Sequence, residues 1–479
     1  MATCDDESEK MKQDFQKSIK DARVSAVRLA AQYPTVDGEN EIAQAICRNA
    51  ENLGWAEAER GAFGKMIREG ARVLVKPNFV LHKNQGRAGL LPLITNQSIV
   101  KAVVAEVLKA NPSQVTVGDA PIQSCDFAEL LGLTKLDEWA AELQKREPRF
   151  KGITDFRRTV STFKNGVRSA QENRRAAENY VLFNLGKDSL LEPLTDGKDS
   201  FRVTNYDPRL MAKTHSPGNH QYLVAREVIE ADVVINLPKL KTHKKAGITN
   251  ALKNLVGING NKEFLPHHRI GGAAIGGDCY PDSDFIKRGL EFVFDRQNMT
   301  DSPLKGKMLA TIGTQFERMM RLTGDETGVE GAWSGNETVP RLCVDLNRVL
   351  LYGRPDATFG EVVQRQVLHI VDAVIAGQGD GPLASDELPL GLVLAGVNAS
   401  AIDWVGAYLL GYDAGKIPLL KHSFADFRWR IADFQPNEIE LLGDWETGQT
   451  ANNLIELAGK QTIAHPAGWR DAKAENAAV

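Results

Sequence analysis

Cysteine is scarce in this chain, and no two cysteines stand at Cys-x-x-Cys spacing. The five, Cys4, Cys47, Cys125, Cys279 and Cys343, are widely scattered. A cysteine-held zinc ion or iron–sulfur cluster needs thiolates grouped at short spacing, so neither is expected. An odd, sparse count is equally unlike a secreted disulfide scaffold. Long apolar runs are missing too. None approaches the roughly 20 residues that cross a bilayer, so no membrane partner is expected. The stretch from Met1 to Lys10 is acidic and polar where a signal peptide would be basic and then apolar. A cytoplasmic location is therefore the expectation. Positive charge is not in excess: at a formal net charge of −4 the chain offers no basic face for nucleic acid. No Gly-x-Gly-x-x-Gly opens a helix, no Gly-rich loop ends in Lys-Ser/Thr, and no Gly-x-Ser-x-Gly occurs. Dinucleotide oxidoreductase, P-loop nucleotidase and serine hydrolase all lose support.

What is present is ordinary in bulk and unusual in one place. The 42% hydrophobic and 25% charged fractions suit a globular protein, and 479 residues exceed a single small core. The unusual place runs from Asp232 to Asn254. An apolar, β-branched run through Leu237 reads as a buried strand. It leads into Lys239, Lys241, His243, Lys244 and Lys245, and Gly247 then precedes a helical pattern. Cations at a strand's end beside a helix N-terminus are suited to hold an anion.

Elsewhere, residues 1–60 read as a charged, helical preface. A strand at 71–80, a helix at 99–110 with N-cap chemistry in Thr95 to Ser98, and a strand at 114–121 make a βαβ unit. The α/β core spans 61–280, interrupted by a helical or irregular insertion at 134–200. A second polar, helical insertion follows at 281–340. The core resumes over 341–465 with a helix at 341–351, strands at 367–375 and 390–396, and a helix at 402–410. Residues 466–479 read as a frayed tail. The fold class expected is α/β: a mostly parallel sheet with flanking helices, a Rossmann-like core with two insertions.

Lys239 and Lys241 fall at the sheet's carboxyl edge, where open α/β sheets bind ligands. Lys253 and Asn254 follow Thr249 and Asn250 by four residues, a spacing that shares a helix face. These residues, with Lys76 and Asn78 beside Pro77, are the candidate substrate-binding set; the alternative is solvated basic turns. His243 has three readings: general acid/base, metal ligand, or part of a basic turn. Asp119, one Gly after an apolar strand, would orient His243 or complete a metal shell. A divalent metal held by His243, His267 and Asp119, with Asp278 as a further carboxylate, is allowed for. The turn from Gly377 to Pro382 could cradle a phosphate through backbone N–H groups.

Taken in order, these motifs resemble the bacterial and archaeal family known as domain of unknown function 362. The resemblance rests on Val75 to Phe79, Val117 to Asp119, Ala231 to His243, Thr249, Ala251 to Gly257, and the histidines 267 and 268. It continues through Trp333 to Thr338, Asp345 to Asn347, Gly379 to Pro382, Gly396 to Asn398 and Asp403. Some members carry an appended ferredoxin-like cysteine region that this chain lacks. Where members resemble Trp-x-Gly-Asn-Asp-Thr this chain has Glu337, whose carboxylate stands about one methylene further out. The resemblance implies that Lys76, Asp119, Lys239, Lys241, His243, Lys253 and Asn254 share one site. The expected function is a cytoplasmic enzyme for a small anionic metabolite bearing phosphate or carboxylate, with the reaction class and oligomeric state open. The alternatives are a non-catalytic metabolite binder and a redox enzyme with an external electron donor.

Overall fold

The structure is a computed structural model and describes residues 15–34, 41–164, 167–282, 284–322, 327–443 and 462–474. Ten strands among these residues form one sheet. In chain order they are β1 (Arg23–Arg28), β2 (Arg72–Pro77), β3 (Gln114–Asp119), β4 (Phe150–Asp155), β5 (Val233–Leu237), β6 (Lys239–His243), β7 (Gly247–Thr249), β8 (Gln366–Asp380), β9 (Ala384–Gly396) and β10 (Glu440–Gly443). The spatial order is β10-β1-β9-β8-β5-β2-β3-β4. Past the break at Pro238, β6 pairs with the continuation of β8, and β7 folds back onto β6. The run from β8 through β5, β2 and β3 to β4 is parallel throughout. Only β9, among the long strands, runs antiparallel to its neighbours β8 and β1. This is the mostly parallel α/β sheet that the strand and helix pattern predicts.

Side-chain alternation explains the layering. Val73, Val75, Val233, Ile235, Leu368 and Ile370 point to one face, under helices α1 (Glu41–Asn52) and α2 (Gln97–Lys109). Leu74, Val234 and Val367 point to the other. That second face is covered by α3 (Ala251–Asn254), α6 (Thr338–Tyr352) and α7 (Ala399–Leu409), with a helical hairpin of α4 (Phe285–Asn298) and α5 (Pro303–Leu322) set between α3 and α6 in the chain. α2 starts where Asn96 accepts a hydrogen bond from Ser98 N, and its Ile and Val residues face the sheet.

From β2 the chain winds outward through β3 to β4, then returns to lay β5 on the opposite side of β2. The winding therefore reverses between β2 and β5, and ligands of open α/β sheets bind at such a reversal, outside the carboxyl ends of the strands. Those ends carry Lys76-Pro77-Asn78 and Leu237-Pro238-Lys239.

Three boundaries differ from expectation. Residues 1–60 are not a helical preface alone: β1 is an interior strand of the sheet, with Ser25 opposite Ala395 and Leu442. The 134–200 insertion contains β4, which completes the sheet, and an antiparallel hairpin of Thr159–Lys164 with Val167–Asn173. Pairing with β3 overrides its weak local pattern. The tail is anchored at Trp469, fully buried, whose indole N–H donates to Lys244 O at 2.5 Å. Its ring lies against Gly247, whose φ of +78° and close approach leave no room for a Cβ. Residues 475–479 lie outside the described residues.

Candidate functional site

Parallel register sets Lys76, Asn236 and His369 side by side on adjacent strands. All three are buried on the face beneath α3. Lys76 Nζ donates to Asp119 Oδ1 at 2.7 Å, to Asn254 Oδ1 at 3.1 Å and to Pro77 O at 2.9 Å. Asn254 donates to Asn236 Oδ1 at 2.7 Å, and Asn236 donates to His369 Nδ1 at 3.1 Å and Ala251 O at 3.0 Å. Asp119 Oδ2 accepts from Phe79 N at 2.8 Å. Burial pushes the Lys76 ammonium down and the Asp119 carboxyl up, with each partner opposing the shift of the other. Gly257 makes the pair possible, because a Cβ there would stand 2.0 Å from Asp119 Oδ1.

Lys239 and Lys241 are both fully buried and differ in company. Lys239 Nζ lies 3.0 Å from Asp372 Oδ2 and donates to Tyr33 OH at 2.6 Å. Lys241 meets neutral acceptors, Asn78 Oδ1 at 2.9 Å and Leu93 O. Burial and the neighbouring Lys239 and Lys253 charges hold its ammonium well below the usual lysine range.

Beside this floor lies a second group, made of Lys245, Lys253, Lys262, His243 and His267. Lys245 Nζ donates to Thr204 Oγ1 at 2.9 Å and stands 3.6 Å from Glu330. Lys262 Nζ donates to Thr204 O at 2.5 Å. Burial, then the Lys245 charge, lowers Lys262 to about 8. Lys253 is lowered by burial and by Lys245. Both imidazoles are held well below the usual histidine range by burial, then by these lysines: Lys253 first for His243, Lys245 first for His267. Lys245, Lys244 and Lys262 in turn draw the Glu330 carboxyl down. Thr204 and Glu330 also line a cleft of about 370 Å³ between residues 202–205 and the α4–α5 hairpin.

The two imidazoles have opposite tautomers. His243 Nδ1 accepts from Lys245 N at 3.0 Å and Ala246 N at 3.2 Å, so its proton sits on Nε2. His267 Nδ1 lies 2.7 Å from Leu265 O, an acceptor only, so Nδ1 carries the proton and Nε2 keeps its lone pair.

Residues 192–408 fit the family model described as Domain of unknown function (DUF362). This stretch is a DUF362 domain. A thylakoid-associated protein of Synechocystis is 23% identical over 361 residues, 75% of this chain and 69% of that protein. Two solved structures superpose with a TM-score of 0.32. A Thermotoga maritima protein is 9% identical, over 74% of this chain and 56% of its own. The lactate racemase apoprotein of Thermoanaerobacterium thermosaccharolyticum is 11% identical, over 82% of this chain and 58% of its own. The matches thus span little more than half the length of either solved chain, and superpositions this loose say nothing about substrate.

The DUF362 domain supplies His243, Lys245, Lys253, Lys262 and His267, while Lys76, Asn78 and Asp119 come from the segment before it. Several expected roles are corrected by the geometry. Asp119 does not orient His243; both its oxygens serve Lys76 and backbone N–H groups. His243, with its lone pair committed at Nδ1, presents no free lone pair at Nε2 for a metal. Among the described residues no three His, Cys, Asp or Glu side chains are placed to hold an ion. Asp278 accepts from Thr338 N at 3.0 Å and Thr338 Oγ1 at 2.6 Å, capping α6. The N-terminus of α3 is already filled, since Asp403 accepts from Ala251 N at 2.7 Å and Leu252 N at 3.2 Å. Thr249 lies on β7 rather than on a shared helix face with Lys253. The Gly377–Pro382 turn is packed on β6, where Gly379 O accepts from Thr242 Oγ1 at 2.7 Å and Gly381 O from Lys244 N at 2.9 Å. Glu337 binds His422 Nε2 at 2.6 Å and Arg341 at 3.1 Å, which together draw it to about 2 against its burial.

Sequence reasoning missed Lys262, Thr204 and Glu330. Each sits in a polar loop with no pattern, and only the fold brings them to Lys245. Asn336 was legible within the Trp333–Thr338 motif; it donates to His267 O at 2.9 Å and Gly331 O at 2.8 Å, fixing the loop that carries His267.

Proposed function

We propose that this chain is a cytoplasmic enzyme that holds a small metabolite by a phosphate or carboxylate group and acts on it by proton transfer. Lys245, Lys253 and Lys262 bind the anion. His243 donates a hydrogen bond from Nε2, and His267 accepts a proton at its unprotonated Nε2. Lys76, Asp119, Asn254 and Asn236 form the fixed floor, and Lys241 with Asn78 borders it. Lys239, matched by Asp372, serves the scaffold.

The observation carrying this reading is an imbalance of charge. Burial and neighbouring charge lower the proton affinity of Lys253, Lys262, His243 and His267, Lys245 stands among them, and Glu330 is the carboxylate set against Lys245 and Lys262 among the described residues. Such a group costs folding free energy unless an anion offsets it. Its place beside the reversal between β2 and β5 is where this class of sheet binds ligands.

A thermal-shift screen with phosphate, pyrophosphate, sulfate and short dicarboxylates tests the reading. A ligand that binds only the folded chain raises the melting temperature, by about 2.7 kcal/mol of stabilisation at a hundred times Kd. The expected result is a shift with at least one anion class, lost in Lys253→Ala. No shift with any of them would contradict the reading.

A further inference from the structure

The α4–α5 hairpin turns an apolar face outward. Phe285 is 85% exposed, Leu304 80% and Leu322 88%. Phe292, Met308, Ile312 and Met319 are exposed as well. Most of the exposed large apolar side chains of the described residues lie on these two helices. At about 100° per residue, Leu304, Met308, Ile312, Met319 and Leu322 fall within roughly 80° of arc on α5. They form a stripe on the side opposite Gly313 and Met320, which face α4 and the core. Phe285 and Phe292 are two turns apart on one face of α4.

The charged residues of the helix that flank the stripe share one sign. Lys305 borders it on one side, and Lys307 and Arg318 border it on the other, all three exposed. On α4, Arg288 and Arg296 are exposed, with the Arg296 guanidinium 5.0 Å from the centre of the Phe292 ring. The acidic residues within the two helices face elsewhere. Glu291 is buried on Tyr280 OH and Gly271 N, Asp295 is paired with Arg202, and Glu317 lines the cleft.

We propose that this hairpin is an interfacial anchor that lays the chain on an anionic lipid surface. An apolar stripe with cations on both borders is the pattern of a helix lying in the headgroup plane, with the stripe in the acyl boundary and the ammonium and guanidinium groups on lipid phosphates. A second protein of matching shape would need acidic residues opposite five exposed cations. Among the described residues the two helices have none on that face, which disfavours a second copy packing the same surface against it. The anchor lies on the surface and does not cross it; among the described residues no helix is long and apolar enough to span a membrane. The same hairpin walls the 370 Å³ cleft, so anchoring would set that cleft beside the lipid headgroups.

Co-sedimentation of the full chain with vesicles tests this. One set is phosphatidylcholine alone; the other contains phosphatidylglycerol at a third of the lipid. The expected result is sedimentation with the anionic vesicles, at least tenfold weaker on the neutral ones and weakened by high salt. The double variant Leu304→Glu/Met308→Glu should lose it by tenfold or more with an unchanged melting temperature. In Phe285→Trp, brominated lipid should quench the tryptophan. Equal binding to both vesicle types, no binding to either, or an unquenched Trp at position 285 would overturn the proposal. So would a dimer in light scattering that the double variant converts to monomer, since that would assign the face to a second copy.

Discussion

Lys76 is fully buried and Lys253 partly buried on adjoining parts of one polar region, and their surroundings predict opposite responses to truncation. Lys76 is matched: its Nζ has a carboxylate at 2.7 Å and an amide oxygen at 3.1 Å. Removing Asp119 leaves an uncompensated ammonium beneath α3, and breaking such a pair costs about 3–5 kcal/mol. Asp119→Ala is therefore expected to lower the urea midpoint sharply, whereas Lys76→Met/Asp119→Leu together should recover much of the loss. Gly257→Ala should act on the same pair by pushing a methyl against Asp119 Oδ1, at about 1–3 kcal/mol. Lys253 has no such match, and burial and Lys245 both disfavour its charge. Lys253→Ala should leave stability unchanged or raise it. Equal destabilisation by Asp119→Ala and Lys253→Ala in urea melts would refute this division between floor and anion clamp.

At the scale of elements, the short helix α3 owes its position to a carboxylate about 150 residues away in sequence. Asp403, on α7, takes the two amide N–H groups at the start of α3. Asp403→Ala should cost about 1–2 kcal/mol, in the range of a lost cap, and Asp403→Asn less, because one acceptor oxygen survives. Denaturant melts of the two variants check the order. The same distance explains what the sequence could and could not reveal. β5 was legible because Val233 to Leu237 is apolar and mostly β-branched apart from Asn236, as suits a strand covered on both faces. α2, α6 and α7 were legible from their apolar spacing. β1 was not, since its six residues alternate Arg, Val, Ser and Ala with no turn signal, and only pairing with Ala395 and Leu442 makes them a strand. The filled N-terminus of α3 was illegible for the same reason: its capping group lies on another element.

Across the whole molecule, protonation links stability and binding in opposite directions. Burial lowers His369 and His215 to about 3 and holds His243, His267 and His268 well below their unfolded value near 6.5. Below pH 6.5 the unfolded chain takes up protons that the folded chain refuses. Stability is thus full above about 6.5 and falls as pH drops from there toward 3. Melting temperatures across that window should decline steadily, and a flat profile would show that these imidazoles are not neutral in the folded chain. Anion binding should behave otherwise. Lys262 loses its proton near 8 without ligand, so affinity falls as pH rises through that value. The region around Lys241 was visible in the sequence because its cations cluster within seven residues. Lys262, Thr204 and Glu330 became visible only when β5, β6 and the loops beyond them were folded together.

Lys245, Lys253 and Lys262 are proposed to hold an anion. Isothermal titration with pyrophosphate checks this on the wild-type chain and on Lys253→Ala, at pH 7 and pH 9. Saturable binding is expected at pH 7, at least tenfold weaker in Lys253→Ala and weaker in both at pH 9. Binding of equal strength in both chains, or binding that does not weaken between pH 7 and pH 9, would contradict it.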